Sequence, residues 1–289
     1  MGVAATIGNF DGIHLGHQAL FKKVIERARD MSLEPCVITF EPHTSKVIGK
    51  GVKLITPYDK KIILIRSSGI KRIEVIPFTE NLSKMEPEEF VKHYLVDKFH
   101  VKYLIVGFNH TFGYKGRGNV EMLKKLGEKH GFVVEVFPPF EINGETVSST
   151  RIRNLISEGK LEEANRLLGR EFFIHGRVVE GKGLGRKIGF PTANIETMQE
   201  LLPPTGVYPC YVEVDGRTYK GIANIGTCPT FHGDKMSIEV HIFDFDRDIY
   251  GKEITIRLKP RIREERKFGS VYELTSQIKK DVEVAKSVL

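Results

Sequence analysis

Ten residues near the start of the chain, Gly8-Asn9-Phe10-Asp11-Gly12-Ile13-His14-Leu15-Gly16-His17, hold the densest chemistry of its first half. They follow an apolar run and precede a helical pattern, so a glycine turn feeds backbone N–H groups and a helix dipole toward one point. His14 and His17 are three apart, and such a turn can present both imidazoles to a single anion. Two such donors gain strength as negative charge builds on a phosphorus under attack. The spacing is neither the dinucleotide fingerprint GxGxxG nor a P-loop, which needs Gly-Lys-Ser/Thr after its loop. A purely structural turn and zinc ligation are the competing readings. His43 is the nearest further zinc ligand, but no Cys or paired carboxylate is spaced to complete a set.

A second set lies in the other half. Gly181, Gly183, Gly185 and Gly189 make a run that either wraps phosphates or simply closes a hairpin. Pro191 fixes the backbone after it, and Thr192 and Asn194 share one face of an extended segment. A hydroxyl and an amide carbonyl together suit a hard cation such as Mg²⁺, or form an ordinary polar strand edge. In a strand over 237–243, Glu239 and His241 share one face and Ile238, Val240 and Ile242 the other. A carboxylate there can take a proton from an attacking alcohol. It can equally be a solvated strand position, since the chain has 37 acidic residues.

The elements that must carry these residues differ between the halves. Apolar runs at 2–8, 35–40, 72–77, 101–107 and 132–138 alternate with helical spacing at 17–30, 57–68, 87–99 and 119–130. That alternation predicts a parallel sheet covered by helices. Helices follow at 149–157 and 160–168. After about residue 170, short β-type runs at 172–179, 207–214, 218–225, 236–243 and 253–258 are separated by glycine and aspartate turns. Asp215-Gly216 is a hairpin signal. Only 270–288 looks helical again, so this half reads as a small β-barrel or sandwich with a C-terminal helix.

Composition narrows the class. The chain has 289 residues, a two-domain length, with 40% hydrophobic and 28% charged residues, which excludes disorder, collagen and coiled coil as the main state. No apolar run approaches the ~20 residues that cross a bilayer, and no secretory signal is expected at the start. Cys36, Cys210 and Cys228 lie far apart without CxxC, which suits a reducing cytoplasm. Residues 1–160 carry 24 Lys+Arg against 18 Asp+Glu, a net +6, and residues 161–289 carry 20 against 19, a net +1. The excess fits either nucleic acid or a polyanionic small molecule such as ATP. No RNA- or DNA-reading motif accompanies it.

GNFDGIHLGH resembles the HxGH signature of the nucleotidyltransferase superfamily in the form typical of prokaryotic FAD synthetases. Phe40-Glu41-Pro42-His43, the segment from Gly107 to Asn119, and Ser148-Ser149-Thr150-Arg151-Ile152-Arg153 are similar to further motifs of that family. GRKIGFPTANI, NIGTCPT, SIEVHIFDFDRDIYG and REERKF resemble the riboflavin kinase module. The resemblance implies a Rossmann-like nucleotidyltransferase domain with a parallel sheet over 1–158 and a linker helix region over 159–169. A six-stranded antiparallel β-barrel riboflavin kinase domain with a C-terminal helix would then occupy 170–289. It implies phosphorylation of riboflavin to FMN, then transfer of AMP from ATP to FMN, giving FAD and pyrophosphate.

By the same resemblance His14 and His17 are catalytic in adenylyl transfer. ATP falls to Gly8, Asn9, Phe10, Asp11, His14, His17, Asn109, Ser148, Ser149, Thr150 and Arg153, and the flavin to Phe40, Pro42 and His43. In the kinase, Glu239 is the general base, Thr192 and Asn194 hold Mg²⁺, and Gly181, Gly183, Gly185, Arg186, Pro191 and Arg263 contact ATP or flavin. His241 packs beside the base or carries a proton. FMN and FAD are implied as substrate and product rather than redox prosthetic groups. Neither nucleic acid nor membrane is expected as a partner, and the chain is expected to be a monomer or weakly self-associating. One departure stands out. Where the family usually has an acidic residue and then an aromatic, this chain has Asn109-His110, which supplies no carboxylate, and Asn109 can cap a loop as readily as touch a ligand.

Overall fold

The computed structural model describes residues 2–49, 51–181, 183–230 and 233–289, with backbone alone over 228–230 and 233–235. Lys182, in the glycine-rich run, and the side chain of Cys228 lie outside that description. Two compact units divide the chain, Met1–Ser149 and Thr150–Leu289.

The first unit runs β1 (Val3–Ile7), α1 (Leu15–Asp30), β2 (Glu34–Glu41), α2 (Thr44–Val47), α3 (Tyr58–Ser67), β3 (Arg72–Pro77), α4 (Glu80–Ser83) and α5 (Pro87–Phe90). A π-helical stretch, Val91–Lys98, continues α5. Next come β4 (Val101–Gly107), α6 (Val120–His130), β5 (Val133–Phe137) and a short hairpin of β6 (Glu141–Ile142) and β7 (Glu145–Thr146). The five main strands form a parallel sheet in the order β3-β2-β1-β4-β5.

Alternate residues of each strand enter different cores. Cys36, Ile38, Leu104 and Val106 pack with Phe90, Leu95 and Leu123, while Val37 and Ile105 pack with Leu20, Phe21, Val24 and Ile65. Both faces are covered, which is why these strands read as continuous apolar runs. The helical spacing over 17–30 puts Ala19 and Ile25 on the apolar face of α1 with Leu20, Val24 and Ala28. Ala19 and Ile25 are half-buried, and Phe21 is fully buried in their company. Strand order reverses beside β1, and at such a switch point the loops after the two central strands diverge and leave a crevice at the carboxyl ends. Here those are the loops after β1 and β4.

The second unit opens in α7 (Ser149–Ser157), which crosses the boundary, and continues with α8 (Leu161–Leu168), ended by Gly169 in the left-handed region. Then follow β8 (Phe173–Val179), α9 (Leu184–Lys187), β9 (Ala193–Glu196), β10 (Gly206–Val214), β11 (Arg217–Thr230), β12 (Gly233–Ile242), β13 (Glu253–Leu258) and α10 (Val271–Val288). The strands close into a barrel in the order β10-β11-β12-β9-β8-β13. Five runs were legible as strands. The sixth, β9, is only four residues long and gains its identity from pairing with β8 and β12. The glycine run is not wholly loop either, because α9 forms a helical turn within it. Asp215 and Gly216 both take positive φ and join β10 to β11 as a two-residue hairpin. Helix α10 buries Ala285 against Val207, Ile222 and Phe243. No helix among the described residues is long and apolar enough to cross a membrane.

Candidate active site

The turn after β1 is built from the inside. Phe10 (φ 50°) and Ile13 (φ 39°) hold left-handed backbone that non-glycine residues rarely adopt. Both side chains are buried in the core beneath, which offsets that strain. Asp11 is buried and accepts the backbone N–H groups of Ile55 at 3.0 Å and Thr56 at 3.2 Å. Asn9 exchanges two bonds with Thr44: its Nδ2 donates to Oγ1 at 2.8 Å, and its Oδ1 accepts the Thr44 N–H at 3.2 Å. The sequence placed Asn9, Phe10 and Asp11 among the ATP contacts. Phe10 and Asp11 shape the turn from within, while Asn9 braces it and also lines the first unit's cavity.

His14 caps α1, its Nδ1 accepting the backbone N–H of His17 at 3.3 Å. An accepting Nδ1 leaves the proton of the neutral ring on Nε2. The two imidazoles stack, with centroids 3.6 Å apart and planes 19° from parallel, and Phe10 meets His17 edge-on at 5.2 Å. The spacing of three has therefore produced one paired unit at a helix N-terminus. Ser149 Oγ donates to the Asp11 carbonyl at 2.8 Å, which ties the start of α7 to this turn. Ser148 immediately precedes that helix, and Thr150 and Arg153 follow along it.

A cavity of about 890 Å³ opens in the first unit between the loops after β1, β2 and β4. It brings together Gly8, Asn9, Phe40 and Asn109, all expected site residues. It adds His110, Phe112 and Lys115 from the Gly107–Asn119 segment, and Thr44 and Phe78, which no sequence motif pointed to. Phe40 meets Phe78 edge-on at 5.5 Å, and His110 lies nearly parallel to Phe112 at 5.8 Å. Burial pushes the His110 imidazole down to about 4, so the ring is neutral around pH 7. Asn109 is exposed in the turn after β4. His43 does not line this cavity. Its Nδ1 accepts the Ser45 N–H at 3.2 Å and caps α2, and Pro42 precedes it after a cis peptide bond.

In the second unit two cavities meet at Thr192. One, about 310 Å³, is walled by Leu184, Ile188, Phe190, Ile222, Phe268 and Leu274, and carries Glu239, His241 and Arg263. The other, about 580 Å³, is lined by Arg186, Pro191, Phe245, Asp246, Arg247 and Tyr250. Thr192 Oγ1 donates to Glu239 Oε2 at 3.4 Å, and Asn194 stands opposite Glu239 in the register of β9 with β12. Hydroxyl, amide and carboxylate thus gather at one place, an oxygen donor set suited to Mg²⁺. Among the described residues no group of three or more His, Cys, Asp or Glu is placed to hold a metal.

The glycines serve close approach within the protein. A Cβ at Gly181 would lie 2.0 Å from Asn194 Nδ2, and one at Gly185 would lie 2.3 Å from the Phe190 carbonyl. Gly183 takes positive φ where it opens α9. His241 Nδ1 donates to the Pro191 carbonyl at 2.8 Å and its ring meets Phe190 edge-on, which fixes the segment before Thr192. Arg263 grips Asp281 of α10 through Nε at 2.9 Å and Nη2 at 2.7 Å, and its Nη1 donates to the Glu264 carbonyl. Its guanidinium pins the segment after β13 to α10, a fixed position the sequence motif did not reveal. Arg247, inside the SIEVHIFDFDRDIYG motif but assigned no role by it, stacks on Phe245 with its guanidinium 4.9 Å from the ring centre. An arginine bracketed by aromatics and aspartates was the signal available for it.

The arrangement defines a two-module protein, a doubly wound α/β unit with paired imidazoles at its switch point and a closed barrel with a carboxylate beside a polar cavity. Residues 1–151 match the family described as FAD synthetase and residues 168–289 the family described as riboflavin kinase. The chain is 38% identical to a bifunctional riboflavin kinase/FMN adenylyltransferase of Pseudomonas fluorescens, over 99% of this chain and 93% of that one. It is 41% identical to the protein of the same description from Listeria monocytogenes, over 95% of this chain and 88% of that one. A crystal structure titled as a macrolide-efflux protein from Streptococcus pneumoniae is similar at a TM-score of 0.89 and 33% identity, covering 99% of this chain and 94% of that one. The chain belongs to the bifunctional riboflavin kinase/FMN adenylyltransferase family.

Proposed function

We propose that the chain converts riboflavin to FAD in two ATP-dependent steps, with phosphorylation in the barrel and adenylyl transfer in the α/β unit. The observation that carries the reading is the position of Thr192, shared by an apolar cavity that bears Glu239 and a polar cavity that bears Arg186 and Arg247. A flat apolar flavin suits the first and a polyphosphate the second. The 5′-hydroxyl then meets the γ-phosphorus where they join.

In the kinase step the Glu239 carboxylate takes the proton of the 5′-hydroxyl as that oxygen attacks, and ADP leaves. Thr192 and Asn194 would hold Mg²⁺, which neutralises charge on the transferring phosphates when bound. Asn194 is kept in place by Gly181, and Thr192 by its bond to Glu239. In the adenylyl step an oxygen of the FMN phosphate attacks the α-phosphorus of ATP and pyrophosphate departs. His14, donating through Nε2, and His17 stabilise the charge that builds at phosphorus. Ser148, Ser149, Thr150 and Arg153 handle the phosphates at the start of α7, and Phe40, Pro42 and His43 lie on the flavin side. Asn109 contacts nucleotide or ribose as a neutral group.

The division of labour follows residues 1–158, a linker over 159–169 and the kinase over 170–289. The chain works in the cytoplasm as a monomer or weakly self-associating enzyme on small molecules, with no nucleic-acid or membrane partner. Chromatography of products, with riboflavin and FMN supplied separately alongside Mg²⁺-ATP, tests this. FMN and FAD from riboflavin, and FAD from FMN, are expected. Failure of either conversion would leave an enzyme with one live activity, and chelation of Mg²⁺ is expected to stop both.

A further inference from the structure

Lys61 of α3 is only 5% exposed. Its ammonium donates to two neutral oxygens, Thr39 Oγ1 at 3.3 Å and the Phe40 carbonyl at 3.1 Å, and faces the Tyr58 ring at 5.1 Å. Glu41 and Asp11 act on it through space, and no carboxylate among the described residues pairs with it directly. A buried charge so placed gives little net stability, because an apolar side chain of similar volume fills such a site as well or better. What the charge does supply is direction. Thr39 accepts from Lys61 and its own hydroxyl donates to the Asn9 carbonyl at 3.4 Å. Asn9 in turn exchanges two bonds with Thr44. One ammonium therefore anchors both the loop after β1 and the loop after β2, and Asn9, Phe40 and Thr44 all line the first unit's cavity.

We propose that Lys61 is a positioning residue for adenylyl transfer, its buried ammonium fixing the loops after β1 and β2 as one wall of the first unit's cavity. Lys61 does not itself line that cavity; it acts through Thr39, Asn9 and the Phe40 backbone. The inference rests on the adenylyltransferase reading of this unit. A chain of this kind is cooperative, so breaking either link releases the same wall.

Lys61→Met and Thr39→Val, singly and together in the full chain, test it by steady-state FMN adenylylation with FMN varied and by riboflavin phosphorylation in the same preparations. Lys61→Met is expected to lower kcat/KM for FMN about ten- to a hundredfold, mainly through KM, and Thr39→Val about three- to tenfold. The double variant should be no worse than Lys61→Met, because both act on one chain of bonds, and phosphorylation should be unchanged. Thr39→Val keeps the ammonium and near-native shape, so it carries the test if Lys61→Met does not fold. Wild-type kcat and KM for FMN in a folded single variant, losses that multiply in the double variant, or an equal fall in phosphorylation would each overturn the role of Lys61. If the wild-type chain itself makes no FAD from FMN, it is the parent reading that fails.

Discussion

Replacing Gly181 by alanine adds one methyl where the glycine-rich run passes closest to β9. Its Cβ would stand 2.0 Å from Asn194 Nδ2, 2.5 Å from Cγ and 2.8 Å from Oδ1. Ordinary contact needs about 3.5 Å, so the amide must retreat by about 1.5 Å. Gly181 is not among the glycines at positive φ, so alanine brings no backbone strain and gains about 0.4–1 kcal/mol from a stiffer unfolded chain. Turning the half-buried Asn194 side chain aside costs about 0.5–1.5 kcal/mol, which nearly cancels that gain. Stability should therefore change by less than about 1 kcal/mol, while a catalytic group displaced by about 1 Å loses on the order of a hundredfold in rate.

The expected outcome is a Gly181→Ala protein that melts close to wild type, phosphorylates riboflavin about a hundredfold more slowly, and still makes FAD from supplied FMN. Initial rates of ADP release, with separation of flavins by chromatography, read both activities. A folded variant with the full phosphorylation rate would refute the reasoning, since Asn194 would then not need its place. Gly185→Ala makes the contrast: its Cβ would meet the Phe190 carbonyl, which is backbone and cannot turn aside, so this change should cost about 1–3 kcal/mol in stability.

His17→Ala should lower kcat for FMN adenylylation about a hundred- to a thousandfold while KM for FMN stays within about twofold; unchanged turnover would remove His17 from the chemistry. Glu239→Gln should abolish FMN formation and leave FMN-to-FAD conversion nearly intact, and loss of both would point to collapse rather than a missing base. His110 adds a pH dependence. With its folded value at about 4 and the unfolded imidazole near 6.5, the unfolded chain binds more protons between those limits. Stability is therefore full above about pH 6.5 and falls as pH drops toward 4. Thermal melts at pH 5 and pH 7.5 should differ less in His110→Phe than in wild type.

Much of the fold was legible because it is written at short range. Strand runs buried on both faces, the stripe of α1, the Asp215-Gly216 hairpin and the alternation of Ile238, Val240 and Ile242 against Glu239 and His241 all follow from periods of 2 and 3.6. The π-winding after Phe90, the four-residue β9 and the helical turn within the glycine run were not legible, because each depends on packing or pairing with residues distant in the chain. The same division runs through the candidate site. His14 and His17 pair within one turn of helix, so their spacing already implied the contact.

By itself the sequence determined the two modules, their order and the family to which the chain belongs, and it nominated the residues of each that could bear chemistry. Only the tertiary structure decided which of those residues face a cavity and which build its walls. Asn9 reaches Thr44 across 35 positions and Asp11 reaches Ile55 across 44, distances closed by sheet register rather than local periodicity. Arg263 turns to Asp281, and Thr192 comes to stand between two cavities, for the same reason. A side chain's type is local, whereas its partner is set by the burial of surfaces far apart in the chain, and no spacing rule records that.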